Sequence, residues 1–252
     1  MEYGLKSSDL PKKKVIKRIS NDSSILCDYR KNFYGIWHIP LKAKQKTKTM
    51  IITSNDAIMF VIDGSVTLFE YNGVDNYRKI DIPTKKSYKI KKNTVFEIKS
   101  KKNSNTIIFH LDIKQVEAMT LPFSLSSSKS HFKQVKKLNS ISDYRKKYWG
   151  YIYSIFSENT CGKVMCVEEG SSGSLEYHLE KYETYYIYEG SCYVDLRYGR
   201  AINKSIKLTK GNIFHLAPGI MHRRRGSTEN CVIIEISTKD NDSDSYIVES
   251  GV

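Results

Sequence analysis

The sequence predicts an all-β protein built from two similar halves, and three observations carry that prediction. Short apolar runs rich in β-branched and aromatic residues, such as Ile58-Met59-Phe60-Val61-Ile62 and Thr106-Ile107-Ile108-Phe109, alternate with turn signals, the pattern of strands rather than helices. The second half lies on the first at an offset of 126 residues, with Ala57–Gly64 falling on Glu183–Gly190 and Lys85–Phe96 on Gly211–His222. Between Glu176 and His222, carboxylate and imidazole side chains recur at strand spacing and are followed by a Pro218-Gly219 turn.

Taken in order, residues 1–22 are polar, with Lys12-Lys13-Lys14 and Lys17-Arg18, and read as a flexible N-terminal arm. Residues 23–120 form the first domain and 148–252 the second. Between them, residues 121–147 are rich in Ser and Lys and read as a linker, with one short helix near Ile141–Lys147. The alignment of the halves has a physical check. The interval from Gly64 to Phe96 equals that from Gly190 to His222, and Asn93 falls where Gly219 stands. Asn is the residue other than glycine best able to adopt the left-handed conformation such a turn needs.

Composition narrows the function classes. No stretch approaches 18 uncharged apolar residues, and Met1-Glu2-Tyr3-Gly4-Leu5-Lys6 lacks the basic region and apolar run of a signal peptide, so a cytoplasmic address without membrane partners is expected. The five cysteines, Cys27, Cys161, Cys166, Cys192 and Cys231, contain no C-x-x-C pair and read as reduced thiols. A formal charge of +14 invites a nucleic-acid reading. Against it, only nine of the 41 basic residues are Arg, the Lys are scattered among Asn, Ile and Tyr, and no nucleic-acid motif is present. The expected partner is a small anionic molecule rather than nucleic acid.

The chemistry concentrates at Glu176, His178, Glu183 and His222. Glu176 and His178 are two apart, so on a strand both leave the same face and reach one cation. Glu183 opens the next apolar run, and the Pro-Gly turn returns His222 to the same place. Two imidazoles and two carboxylates form a mixed N/O set suited to one first-row divalent ion (Zn, Mn, Fe or Ni) with positions left open for substrate. Glu176 either completes the set or sits exposed and leaves three ligands. The equivalent positions of the first half are Met50, Ile52, Ala57 and Phe96, none of which binds a hard divalent ion.

The order and spacing resemble the two signature motifs of the cupin superfamily, G-x5-H-x-H-x(3,4)-E-x6-G and G-x5-P-x-G-x2-H, with Glu176 where the first His belongs and Ala217 where the first Pro belongs. That resemblance implies two tandem double-stranded β-helix (jelly-roll) barrels, a bicupin whose first barrel is metal-free. Its expected role is structural, covering the partner barrel's open edge or making a homodimer contact, with sugar binding as the alternative. Residues 148–238 are similar to the cupin domain of type II phosphomannose isomerases through Trp149-Gly150, Lys163-Val164, Ser174-Leu175-Glu176-Tyr177-His178, Lys181, Glu183 and Ile234-Glu235-Ile236-Ser237-Thr238. In this chain Glu176 replaces Gln, Lys181 replaces Arg, and Asn241–Tyr246 stands where that family carries an Arg-containing tail.

The resemblance implies a metal-dependent mannose-6-phosphate isomerase-like enzyme acting on a carbohydrate or sugar phosphate. In it the metal holds the carbonyl and neighbouring hydroxyl oxygens of the open-chain sugar and stabilises the enediolate, while a base moves the proton. Candidates for the base are Glu180, Lys181 and His215, the last of which alternation could aim inward or outward. Lys181 and Arg224 are candidates for holding an anionic group, Arg224 because it shares the face of His222 while Arg223 and Arg225 point away. Tyr185 and Ile187 alternate with Glu183 and are expected to line the cavity. A non-catalytic bicupin binding a sugar or sugar nucleotide, and an Fe(II) dioxygenase, stand as alternatives.

Overall fold

The computed structural model describes residues 15–18, 24–27, 34–52, 55–72, 77–111, 118–120, 139–140, 143–197 and 204–251. Among the described residues nearly all the regular structure is strand, joined by a 3-10 turn at Asp242–Asp244. Among the described residues no helix is long and apolar enough to cross a membrane. The chain divides into two compact units, one Val15–Ile141 and the other within Ser142–Val252.

In the first unit a seven-stranded sheet runs in the order Val15–Arg18, Ser24–Cys27, Tyr34–Leu41, Ser104–Leu111, Ala57–Asp63, Lys86–Ile90, Asn139–Ser140. A five-stranded sheet runs Ala118–Thr120, Met50–Ile52, Val95–Ser100, Ser65–Tyr71, Tyr77–Pro83. Trp37, Ile39 and Met59 from one sheet meet Val66, Leu68 and Ile98 from the other in a single apolar cluster. Period-2 alternation puts every second side chain there, which is why a sequence of short β-branched runs closes on itself as two facing sheets.

The second unit repeats the plan. Its six-stranded sheet runs Asp143–Lys147, Gly150–Ser157, Thr160–Val167, Cys231–Thr238, Glu183–Glu189, Ile213–Leu216, and its five-stranded sheet Lys204–Thr209, Ser191–Arg197, Met221–Gly226, Leu175–Tyr177, Tyr246–Glu249. On the outer strand Lys204–Thr209, Ile206 and Leu208 are buried between exposed Ser205, Lys207 and Thr209, each buried aliphatic contributing about 2 kcal/mol.

The repeat holds at the level of register. Met50 pairs with Phe96 as Glu176 pairs with His222, and Ala57 pairs with Ile90 as Glu183 pairs with Leu216. Asn93 has φ 62° where Gly219 has φ 79°, and the N–H of each donates to the strand that carries the ligand positions, Asn93 to Ile52 O at 2.6 Å and Gly219 to His178 O at 2.7 Å. Met50, Ile52, Ala57 and Phe96 are fully buried in the apolar cluster of the first unit, so the interior that holds polar groups in one copy is hydrocarbon in the other.

One expectation changes. The residues read as a helix near Ile141–Lys147 include a strand, Asp143–Lys147, which turns at Tyr148-Trp149 and pairs antiparallel with Gly150–Ser157. A helix of that length pays its nucleation cost for too few hydrogen bonds, whereas a sheet edge offers a ready partner. The remainder of the 1–22 arm and of the 121–147 linker, apart from Val15–Arg18, Asn139–Ser140 and Asp143–Lys147, lies outside the described residues.

Candidate metal centre

Three strands of the second unit bring the polar side chains together. Leu175–Tyr177 carries Glu176 and leads into His178, Glu183 opens the next strand, and Met221–Gly226 carries His222 and Arg224. Donor atoms of Glu176, His178 and His222 all lie within 4.8 Å of one another. Glu183 closes the group from below, with Oε1 3.5 Å from His178 Nε2 and Oε2 3.1 Å from His222 Nε2. Glu176, His178 and Glu183 border a cavity of about 300 Å³ in this unit, whose walls include Trp149, Lys163, Lys181, Glu235 and Asp240, while His222 lies behind them.

Both imidazoles are pinned at the far nitrogen. His178 Nδ1–H donates to the Asp244 carbonyl oxygen at 2.8 Å and His222 Nδ1–H to the Ile220 carbonyl oxygen at 3.0 Å. A neutral ring that donates from Nδ1 presents a lone pair at Nε2, so both lone pairs face the Glu183 carboxylate. His222 Nε2 is buried and not aligned for a hydrogen bond. Acceptors facing an acceptor repel unless a proton or a metal cation lies between them. Against the effect of burial, Glu183 raises the His178 pKa, so a proton is one occupant of that gap. The residues present also fit a divalent cation, with two oriented imidazoles and carboxylate oxygens beside a cavity that Glu176, His178 and Glu183 line.

Neither carboxylate waits for a metal in order to be neutralised. Lys181 Nζ lies 2.7 Å from Glu183, 3.0 Å from Glu235 and 2.9 Å from Asp240, and Lys163 adds a second contact to Asp240 at 2.7 Å. Burial pushes Glu183 upward, but the Lys181 ammonium beside it holds its carboxyl well below the usual carboxylate range. Burial of Glu183 is accounted for by Lys181, so the desolvation argument for a metal, sound from the sequence, loses its force here.

Glu176 is bound by the Arg224 guanidinium through Oε1 and by the Ser245 hydroxyl at 3.0 Å through Oε2. Burial disfavours its charge, yet Arg224 lowers its pKa. Arg224 also donates to the Tyr185 hydroxyl at 2.6 Å and packs over the Trp149 ring at 5.5 Å. Each Glu176 oxygen keeps a second lone pair, so ligation and the Arg224 contact are compatible.

The sequence-derived candidates separate cleanly. Arg224 does share the face of His222, while Arg223 and Arg225 turn to Asp195 on the other side of the sheet. Arg224 is committed to Glu176 and Tyr185, however, and Lys181 to three carboxylates, so both serve first as internal counter-ions. Lys181 cannot be the base: burial weakens the ammonium, but Glu183, Glu235 and Asp240 hold its pKa well above the normal lysine value. His215 pairs across strands with Thr184 and is bonded to its hydroxyl at 3.1 Å; Thr184 leaves the strand opposite to Glu183, so His215 faces away from the site. Glu180 is exposed and does not line the cavity. Tyr185 is fully buried with its hydroxyl on Glu183 at 2.9 Å, supporting the site from behind, and Ile187 belongs to the apolar core.

Lys163, Glu235, Asp240, Asp244 and Ser245 were not singled out as site residues by sequence. Lys163 and Glu235 had a readable signal, a lone charge in the otherwise apolar runs Thr160–Val167 and Cys231–Thr238; they pair across neighbouring strands. Asp240, Asp244 and Ser245 had none, because they sit in a polar turn that reads as loop.

No protein-family model matches the chain, and neither does any curated protein. Solved structures do. Oxalate decarboxylase from Bacillus subtilis at pH 4.6 is 12% identical, with a TM-score of 0.65 over 86% of this chain and 71% of that one. A second structure of the Bacillus subtilis enzyme, described for its Mn(II) centres, is 11% identical with a TM-score of 0.66 over 86% and 71%. At this identity the likeness shows the fold, an all-β pair of tandem cupin barrels.

Proposed function

We propose that the second barrel is a divalent-metal site that catalyses proton transfer on a small polyhydroxy carbonyl compound, in the manner of an aldose-ketose sugar-phosphate isomerase. The observation that carries the metal reading is the pair of imidazoles fixed by Nδ1–H donation to main-chain carbonyls, with both Nε2 lone pairs turned to Glu183. Glu176, His178, Glu183 and His222 would hold the ion, and structural likeness to an enzyme with Mn(II) centres supports that choice. A divalent ion there supplies Lewis-acid polarisation of bound substrate oxygens. Lys163 and Lys181 line the same cavity; the three donors of Lys181 are taken by its carboxylates, so Lys163 is the one that presents an ammonium donor to substrate oxygens. Glu235, buried between those two ammonium groups, is the acceptor placed to take a proton from one carbon and return it to its neighbour. Trp149 and Met165 wall the cavity and limit water beside the reacting carbons.

A second reading is a non-catalytic bicupin that binds a sugar, favoured by the pairing of Glu183 with Lys181 and of Glu176 with Arg224, which stabilises the site without an ion. Metal analysis of the purified protein, followed by an NMR screen of phosphorylated aldoses and ketoses, separates the two. Stoichiometric metal and interconversion abolished by His178→Ala or Glu235→Gln support the enzyme. A protein without bound metal whose behaviour is unchanged by His178→Ala is a binding module.

A further inference from the structure

The segment that replaces the Arg-containing tail is built into the site. Asp244 is buried at the end of the 3-10 turn, and its carboxylate collects three successive main-chain donors: Leu179 N–H at 2.8 Å, Glu180 N–H at 3.2 Å and Lys181 N–H at 3.0 Å. Those donors belong to the link between two candidate ligands, His178 and Glu183. The Asp244 carbonyl receives His178 Nδ1–H at 2.8 Å, and the next residue, Ser245, donates to Glu176 at 3.0 Å. Asp240, at the start of the same segment, fixes Lys181, which holds Glu183. One short stretch thus touches Glu176 and His178 directly and reaches Glu183 through one ammonium.

We propose that residues 240–247 form a strap whose docking and metal binding are one coupled event, with Asp244 as the positioning residue. The inference rests on the metal reading above. A strap that orients the ligands must be stabilised by whatever those ligands bind, because anything favouring the docked state over the undocked one is itself bound more tightly by the docked state. Outer groups of this kind are worth about 10- to 100-fold in metal affinity. The Asp244 carboxylate also accepts from consecutive N–H groups through both of its oxygens, which an amide side chain with a single acceptor oxygen cannot reproduce.

The full chain tests this in two ways. In the unaltered protein, saturating Co(II) is expected to slow amide exchange in peptides covering 240–249 and 176–183 at least about tenfold, with no change in the Lys204–Thr209 strand. Titration calorimetry of Asp244→Asn and Ser245→Ala is expected to show Co(II) binding weakened about 10- to 100-fold and about threefold, with an altered Co(II) d–d spectrum in Asp244→Asn. Ile206→Val, which trims an apolar residue of another strand, keeps both affinity and spectrum and so separates positioning from general destabilisation. If Co(II) binds but exchange in 240–249 is unchanged, or folded Asp244→Asn keeps full affinity, the strap proposal is overturned and the metal reading stands. If the unaltered chain binds no Co(II), both fall.

Discussion

Buried Arg224 and half-buried Glu176 form a pair whose energetics depend on what else is in the site. Removing the guanidinium strands the carboxylate beside the cavity, and breaking a buried pair from one side costs about 3 kcal/mol. Arg224→Met is therefore expected to lose roughly that much in urea denaturation at neutral pH. If Glu176 ligates, saturating Mn(II) stabilises the variant more than the parent, since the ion takes over the role of the lost cation; equal stabilisation of both would remove Glu176 from the ligand set. Asp240 gives the pH counterpart. Burial raises its pKa, but Lys181 and Lys163 bring it down to about 2 from the usual 3.8. A carboxyl depressed in the folded state contributes fully above its unfolded pKa and loses that contribution as pH falls through the folded one. Stability from Asp240, about 2 kcal/mol, should thus be intact above pH 4 and disappear toward pH 2. The stability difference between parent and Asp240→Asn should narrow over that window when measured by urea denaturation. The shared face of His222 and Arg224 was legible because alternation is local. The partners of Lys181 were not, because Glu235 and Asp240 lie more than 50 residues away in sequence and are brought in only by the packing of the sheets.

At the scale of elements, two of the turns that carry a left-handed glycine in the second barrel make different demands. Gly190 has φ 69°, and a Cβ there would lie 1.9 Å from the Asn230 carbonyl oxygen. Gly219 has φ 79° with nothing within 4 Å of the same position. Gly219→Ala therefore meets only the left-handed backbone penalty, about 1 kcal/mol, and Gly219→Asn less, since Asn93 adopts that conformation in the first barrel. Gly190→Ala meets the same penalty plus a backbone collision, and its loss in denaturant midpoint should exceed that of Gly219→Ala several-fold. Comparable losses at both sites would mean that the strand after Gly190 shifts to accommodate the methyl. These turns were readable in advance because a positive φ restricts residue choice strongly enough to survive in a diverged repeat. The Asp143–Lys147 strand was not, since Asp-Tyr-Arg-Lys-Lys has no apolar alternation to show and its burial pattern is correspondingly irregular. Its strand character comes from its neighbour, Gly150–Ser157.

For the whole molecule, the two units pose the same interior positions and fill them differently. Glu176, His178, Glu183 and His222 occupy the positions equivalent to Met50, Ile52, Ala57 and Phe96, and the second set is wholly buried among apolar neighbours. A carboxylate or imidazole introduced singly at one of those positions would be desolvated without partners, so the first barrel cannot acquire a site by one substitution. Binding should accordingly saturate at one ion per chain. Dialysis against Mn(II) followed by elemental analysis is expected to give a metal-to-protein ratio near one, falling to near zero in His178→Ala/His222→Ala, while Met50→Leu leaves the ratio unchanged. Two ions per chain, or retention of one by the double variant, would place a site outside the second barrel and would require donors other than the four that converge there. The same measurement bears on the formal charge of +14, because a protein that is strongly cationic overall gains nothing from net charge in holding a divalent cation. Affinity has to come from the local donors, and it should therefore change little as added salt screens the distant lysines.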